Sequence, residues 1–514
     1  MTTAPRICYT VPKRGMHMEG GKSGTPRAFK AVAWLCALML LLSVIPLYAI
    51  SLYSHPHYDD YGFSRNVHQT WQDTGSVLAV FKTAAQSAAN VRQTWQGTYL
   101  GTILSNVQPG VFSESLYFLT TFLLLTAFLF CFYFFFQTVL KVLFRARFHA
   151  VVCVASLAMF LMLQLMPQVN EGLYWFNGGI GNTFVYSLIA LSLALMIRLW
   201  FAKGAKAWWL AAALMLLMAA LGGGSYGGGL FLLCIGVLVI LFAFWKKHRF
   251  RFVYLGLFLV LAAGFAYSMS APGNDARAGI MGSRISAPEA VLKSLYYGVT
   301  LLGSYLTLPV IAVLLFVLPL FWELAGRSGF SFKHPLPVLL LGIGLFCVQL
   351  VPPMFSGVFI GGGRIQNTYY FSFIVMVLLY ELYLLGYLRK KLEKPFAFTE
   401  QMKRGAAVLA AFLFAFGLLG FSRPADDTFG PKNLTGAEAA VSILSGEAQA
   451  YDAAMDAREA LLNDPSLPDV VLAPLASTPK TFMADTVSSD MTVSILRTLA
   501  LYYRKQSVTL QAQQ

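Results

Sequence analysis

Asp59 and Asp60 adjoin in the segment His55-Pro-His-Tyr-Asp-Asp-Tyr-Gly62, a few residues past the end of a long hydrophobic run. A carboxylate held beside a hydroxyl can take its proton, and partial burial or a neighbouring charge raises its pKa toward working pH. In an arbitrary loop such a pair caps a helix or makes a turn. Its place at the edge of an apolar run, in an otherwise acid-poor chain, makes Asp59 and Asp60 the candidate general bases.

Three other segments bring polar residues to the edges of apolar runs. Arg364 follows Gly361-Gly-Gly363, where the backbone can be approached closely, and with Arg277 or Arg284 it can grip a phosphate through charge-assisted forks. Glu171-Gly-Leu-Tyr-Trp-Phe-Asn177 offers aromatic faces beside an acid and an amide, a mixture suited to sugars. His57, Glu171, Tyr174, Trp175 and Asn177 are therefore the candidate sugar or acceptor contacts. The structural alternatives are snorkelling arginines and an interfacial aromatic belt. His55-x-His57 with Asp59 and Asp60 has the ligand types for a divalent metal, but a single short segment with no second motif assigns none. The glycine run at 222–229 lacks the Lys-Ser/Thr of a phosphate loop and reads as a tight interhelical turn.

The elements that position these residues follow from composition. The chain has 514 residues, 57% of them hydrophobic and only 12% charged, about half the charged fraction of a soluble domain. Its apolar runs approach the 20 residues or so that cross a bilayer as a helix. They fall at about 30–53, 115–140, 150–168, 181–201, 207–222, 228–245, 252–270, 298–322, 336–353, 369–388 and 405–421. The expected fold is an all-α polytopic membrane protein with eleven spans. The first run is too long for the core of a cleaved signal peptide.

Lysines and arginines concentrate in cytoplasmic connections. With the N-terminus inside, most of the 38 basic residues fall on that side, and every aspartate, none of which was used to orient the chain, falls outside. The net charge of +15 is then a topology signature and not a nucleic-acid surface. The six cysteines supply no pair in an outside loop.

The expected organisation is a cytoplasmic tail at 1–29, a membrane domain at 30–421 with a long first outside loop at 54–114, and an extracytoplasmic domain at 422–514. The last carries eleven acidic against seven basic side chains. Within the loop, apolar residues at three- and four-residue spacing around 77–81 and 91–104 predict helices lying on the membrane surface. The tail reads as a small α/β unit, with helices at about 437–462 and 491–503 and strands at 469–473 and 507–510. No internal repeat is evident.

A long first outside loop opening on an acidic pair resembles the GT-C class of membrane glycosyltransferases. Tyr58-Asp-Asp-Tyr-Gly-Phe-Ser64, Trp95-Gln-Gly97, Glu171-Gly-Leu-Tyr-Trp-Phe176, Tyr451-Asp-Ala-Ala-Met-Asp-Ala-Arg458 and Leu501-Tyr-Tyr-Arg504 are similar to an uncharacterised bacterial family of polytopic proteins related to that class. The resemblance implies transfer of a sugar from a polyprenyl-phosphate donor to a cell-surface glycan, lipid or polymer, with Asp59 or Asp60 as base. It places the protein in the plasma membrane with the site facing out. A nucleotide-sugar donor is disfavoured independently, since no nucleotide-binding motif is present and such donors are cytoplasmic. The competing expectations are a transporter or flippase, which would carry ionisable residues at span centres, and a non-catalytic scaffold.

Overall fold

The computed structural model describes residues 27–281, 284–392, 395–418, 434–483 and 489–511. The expected tail before Arg27 and the junction between the last span and the C-terminal unit, 419–433, lie outside the described residues.

Apolar runs become helices because a backbone in hydrocarbon has only itself to bond to. The first half of the chain forms α1 (Arg27–Ile50), α2 (Asp59–Thr74), α3 (Val77–Thr94), α4 (Tyr99–Asn106), α5 (Leu119–Thr138), α6 (Phe148–Gln164), α7 (Phe176–Gly179), α8 (Val185–Phe201), α9 (Ala205–Leu221), α10 (Tyr226–Trp245) and α11 (Arg251–Met269). The second half forms α12 (Gly273–Met281), α13 (Ala287–Tyr305), α14 (Leu308–Arg327), α15 (Pro335–Cys347), α16 (Val351–Phe355), α17 (Gly363–Lys391), α18 (Glu400–Phe416), α19 (Thr435–Leu444), α20 (Glu447–Asn463) and α21 (Ser489–Tyr502). Strands β1 (Asp469–Leu472) and β2 (Ser507–Leu510) pair in parallel, Val470 opposite Val508.

Among the described residues, eight helical stretches are long and apolar enough to cross a membrane: Arg27–Tyr53, Glu114–Leu143, Phe176–Phe201, Tyr226–Trp245, Arg251–Met269, Leu308–Arg327, Pro335–Phe355 and Gly363–Lys391. The chain is an all-α membrane protein with one small sheet among the described residues. Helices α6 and α9 are apolar but shorter. The bundle packs α1 on α6, α5 on α6 and α8, α9 and α10 on α11, and α14 on α17 and α18. Small residues permit one close crossing: a side chain at Gly222 of the α9–α10 turn would meet Gly264 of α11 at 2.8 Å, the close backbone approach seen between membrane helices.

Of the eleven expected spans, those at 150–168, 207–222 and 405–421 form α6, α9 and α18, which are not among these eight stretches, and the one at 298–322 needs correction. The run at 298–322 is not one helix but two, broken at Leu306 and Thr307. Thr307 is extended, and Pro309, in the first turn of α14, has no N–H to continue α13. The crossing helix is α14, while α13 lies against α15 and α16, with Tyr297 on Phe359 and Tyr305 on Tyr370 at ring distances of 4.5 and 5.2 Å. The hydrophobic run was legible; the break in it was not read, although Pro309 marks it. The tail helix expected at 437–462 is likewise two, α19 and α20, because Gly446 turns into the left-handed region at φ +81°.

The first long connection folds as a helical cap on the bundle. Helix α3 buries Val80, Ala84 and Ala88 but leaves Val77, Leu78 and Phe81 exposed, an amphipathic division matching the periodicity of the sequence. Helix α4 is fastened by the bond from Leu100 N–H to the Gly223 carbonyl, 2.9 Å. The tail grips this cap. Tyr502 stacks on His68 of α2 at 4.1 Å, Arg504 forms a two-pronged bond with Asp73 at 2.8 and 2.6 Å, and Tyr61 belongs to the same apolar cluster as Leu462, Val470 and Val508.

Helix α19 docks directly on the bundle. Thr435 donates to the Leu163 carbonyl and Gly436 N–H to Gln164 Oε1, both at 2.8 Å, and a side chain at Gly436 would run into the Ser43 carbonyl of α1. The Gly436→Ala variant is therefore expected to lose about 1–3 kcal/mol of stability. Thermal unfolding of the detergent-solubilised protein, with limited proteolysis of the tail, checks this; an unchanged melting temperature and cleavage pattern would show that α19 is not docked this way.

Candidate functional site

Tyr58 takes a positive φ of 46° just before α2, which turns the chain so that Asp59 and Asp60 open the helix together. Two acids in a first turn suit the positive end of the helix dipole. Consecutive residues point about 100° apart around a helix, and that angle separates their fates.

Asp60 is fully buried and its carboxylate is saturated. Oδ1 accepts from the backbone N–H and the side-chain amide of Asn177, at 3.0 and 2.9 Å. Oδ2 accepts from the Tyr117 hydroxyl and, at 3.2 Å, from His57 N–H. The Tyr117 oxygen in turn accepts from Phe176 N–H at 3.1 Å. Burial pushes the Asp60 pKa up while these donors pull it down, and the balance lies above the usual range. The arrangement ties the start of α2 to the start of α5 and to the segment at 174–177.

Asp59 is part-buried and makes no hydrogen bond or ion pair among the described residues. Burial raises its pKa to about 6; the charges of Arg364 and Arg277 pull it down and that of Asp60 pushes it up. It is a carboxylate set near neutrality that feels the charge of two guanidinium groups and pairs with neither among the described residues.

Each of those arginines is held over a tryptophan. Arg364, in the first turn of α17, bonds Glu171 Oε2 through both its backbone N–H and Nη1 at 3.1 Å, and its guanidinium sits 4.9 Å from the Trp175 ring centre. Arg277 on α12 donates to Gln96 Oε1 at 2.9 Å and lies 5.0 Å from the Trp95 ring centre. Burial first, and then the charge of Arg364, lower the Arg277 pKa. No carboxylate pairs with Arg277 among the described residues. The Trp95–Gly97 turn is pinned to α10 and α12, since Gly97 N–H donates to the Tyr226 hydroxyl at 2.9 Å, which donates to Asn274 Oδ1 at 2.6 Å. Trp175 is buried, and its Nε1 has no acceptor among the described residues.

The structure thus brings together Asp59, Asp60, His57, Glu171, Trp175, Asn177, Arg277 and Arg364. It does not bring in two others. Arg284 pairs with Asp275 at 2.7 Å and with the Asn274 carbonyl at 2.8 Å inside its own connection. Tyr174 is buried, with its hydroxyl spent on the Leu47 carbonyl of α1 at 2.8 Å. Asn177 is likewise spent, on Asp60. Tyr117, Gln96 and Tyr226 were missed as site residues. Tyr117 opens a hydrophobic run and carries no local signal, whereas Gln96 stood within a quoted motif.

The expected ligand types His55, His57, Asp59 and Asp60 do not converge. Asp60 is filled by donors, and His55 Nε2 turns to Asp452 at 2.9 Å. Among the described residues, those whose ligand atoms could hold a metal are His55, Asp452 and Asp456.

Stability separates the two aspartates. Asp59 binds its proton more tightly in the folded than in the unfolded chain, so the stability it contributes is present below about pH 4 and lost as pH rises through about 6. Asp59→Asn is expected to stabilise the protein by about 1–2 kcal/mol at pH 7.5 and to gain little at pH 4. Asp60→Ala, which strands four donors, is expected to cost about 3 kcal/mol or more. Melting temperatures of both variants at the two pH values decide it; equal destabilisation by both would contradict the division of roles. Comparison with known proteins supplies no identity for this site: no family model, curated protein or solved structure matches the chain.

Proposed function

We propose that the protein is a membrane glycosyltransferase that moves a sugar from a polyprenyl-phosphate donor to a cell-envelope glycan, lipid or polymer acceptor, in the manner of the GT-C class. In this reading α1, α5, α6, α8, α9, α10, α11, α14, α15, α17 and α18 make eleven crossings. The N-terminus is inside, the tail outside, and the site lies at the outer face of the plasma membrane. The exposed apolar side of α3 rests in the headgroup layer.

The observation that carries the reading is the unpartnered Asp59 facing Arg277 and Arg364. The two guanidinium groups repel each other, and among the described residues only Glu171 forms an ion pair with either. A phosphate is the anion that both can fork toward. With the donor phosphate held there, Asp59 takes the proton of the acceptor hydroxyl as its oxygen bonds to the anomeric carbon. The bond from that carbon to the phosphate oxygen breaks, and the leaving polyprenyl phosphate departs against the two arginines. Asp60 reacts with nothing; it positions Asp59 through the joint with Tyr117 and Asn177.

A second reading, a transporter or flippase, is favoured by one observation: Glu381, within the crossing helix α17, has a buried carboxylate oxygen with no partner among the described residues. Glu381 stands toward the cytoplasmic end of its expected span, and buried ionisable groups within crossing helices mark transport pathways.

The test uses purified protein in lipid bilayers with a polyprenyl-phosphate sugar, alongside mass spectrometry of surface glycans from cells carrying each variant. Asp59→Asn is expected to lower transfer by about 10²–10⁴-fold, the usual contribution of a general base, with donor binding retained. Wild-type activity should fall as pH drops through about 6. In Arg364→Met that limb should move to higher pH, since the guanidinium holds the carboxyl pKa down. Unchanged glycans and unchanged transfer in Asp59→Asn would sink the enzyme; solute movement abolished by Glu381→Gln would replace it with the transporter.

A further inference from the structure

His55 stands four residues before Asp59 but faces away from that site, toward the tail. Its Nε2 lies 2.9 Å from Asp452 Oδ1 and 4.0 Å from Asp456 Oδ1. The two aspartates are one turn apart on α20 and so share a face, and one ligand atom from each of the three residues falls within 4.8 Å of the others. With metal–ligand bonds of about 2.1 Å, neighbouring ligands of a tetrahedral or octahedral ion stand roughly 3.0–3.5 Å apart. The shorter contact already has that spacing. The Asp456 side chain is 66% exposed, and a rotation that moves its oxygen by about 0.5–1 Å would close the longer one.

The ring itself supplies an independent observation. Its side chain is 6% exposed, and Nδ1 is buried with no hydrogen-bond partner among the described residues. Beyond Nδ1, at 3.8 Å, stands the buried carboxylate of Glu114, itself fixed by the hydroxyls of Tyr61 and Tyr503. A metal-ligating imidazole characteristically hands its other N–H to a carboxylate, which sets the tautomer and strengthens the ring as a donor. Here that acceptor is already positioned on the far side of the ring from Asp452 and Asp456. A shift of under about 1 Å brings it to hydrogen-bond distance.

The geometry points to a divalent-cation site formed by His55 Nε2, Asp452 and Asp456, with Glu114 as the acceptor for Nδ1–H and water completing the shell. One imidazole with two carboxylates suits Mn²⁺ or Zn²⁺; Ca²⁺, which needs six to eight oxygens, is poorly served. Bound there, the ion fastens α20 of the tail to the segment that leads into Asp59. The site stands whether or not Asp59 acts as a base.

The test is direct binding to the tag-free, full-length protein in detergent after treatment with a chelator. Mn²⁺ is followed by electron paramagnetic resonance and Zn²⁺ by calorimetry. One saturable site is expected, weakened at least about 10-fold by Asp452→Asn and by Asp456→Asn, and about 10-fold or more by Glu114→Gln. Asp469→Asn, on β1, should leave it unchanged. Added Mn²⁺ should also slow proteolysis of the tail in wild type but not in Asp452→Asn. Absence of saturable binding, or binding indifferent to both aspartate variants, an adventitious ion only, would overturn the proposal.

Discussion

The buried carboxylate of Asp60 is the joint on which the arrangement depends. A fully desolvated charge is costly unless donors surround it, and here four of them converge from three parts of the chain: the backbone before α2, the hydroxyl opening the α5 run, and the amides of Asn177. Each donor satisfied fixes one element against another. The same segment that carries Asn177 carries Trp175 and Glu171, which orient Arg364. One carboxylate thereby sets the position of its neighbour Asp59 relative to the guanidinium it faces.

The contrast between the two aspartates is one of solvation and partners rather than of chemistry. Asp60 is buried and satisfied; Asp59 is part-buried and unsatisfied, with a pKa lifted to about 6. Perturbed groups of the second kind concentrate at working sites, because reactivity needs a charge that the fold has not already neutralised. Arg277 meets the same description. Burial first, and then the charge of Arg364, pull its pKa below the usual value, while the charge of Asp59 pulls it up.

Much of this was legible in the sequence. Runs near 20 residues marked the helices, and the Asp-Asp pair, Trp95-Gln-Gly97 and Glu171 to Phe176 marked segments that the fold brings together at the candidate site. Other parts were not legible, each for a physical reason. Tyr117 lies 57 positions from Asp60, and no local pattern announces a hydroxyl that will be buried against a distant acid. Arg284 and Arg277 look alike in sequence; only the fold shows that Asp275 neutralises one and leaves the other. The pairing of His55 with Asp452 spans 397 positions of the chain. The break before α14 was within reach, since Pro309 cannot continue a helix from the preceding turn.

In the proposed function a lipid-borne phosphate sits between Arg277 and Arg364, beside Asp59. The most direct measurement is an electron cryomicroscopy structure of the protein with a polyprenyl-phosphate sugar bound. The account predicts the phosphorus within about 4–5 Å of both guanidinium carbons, with the anomeric carbon turned toward Asp59. A phosphate bound elsewhere, with the space between the two arginines holding only water, would contradict it.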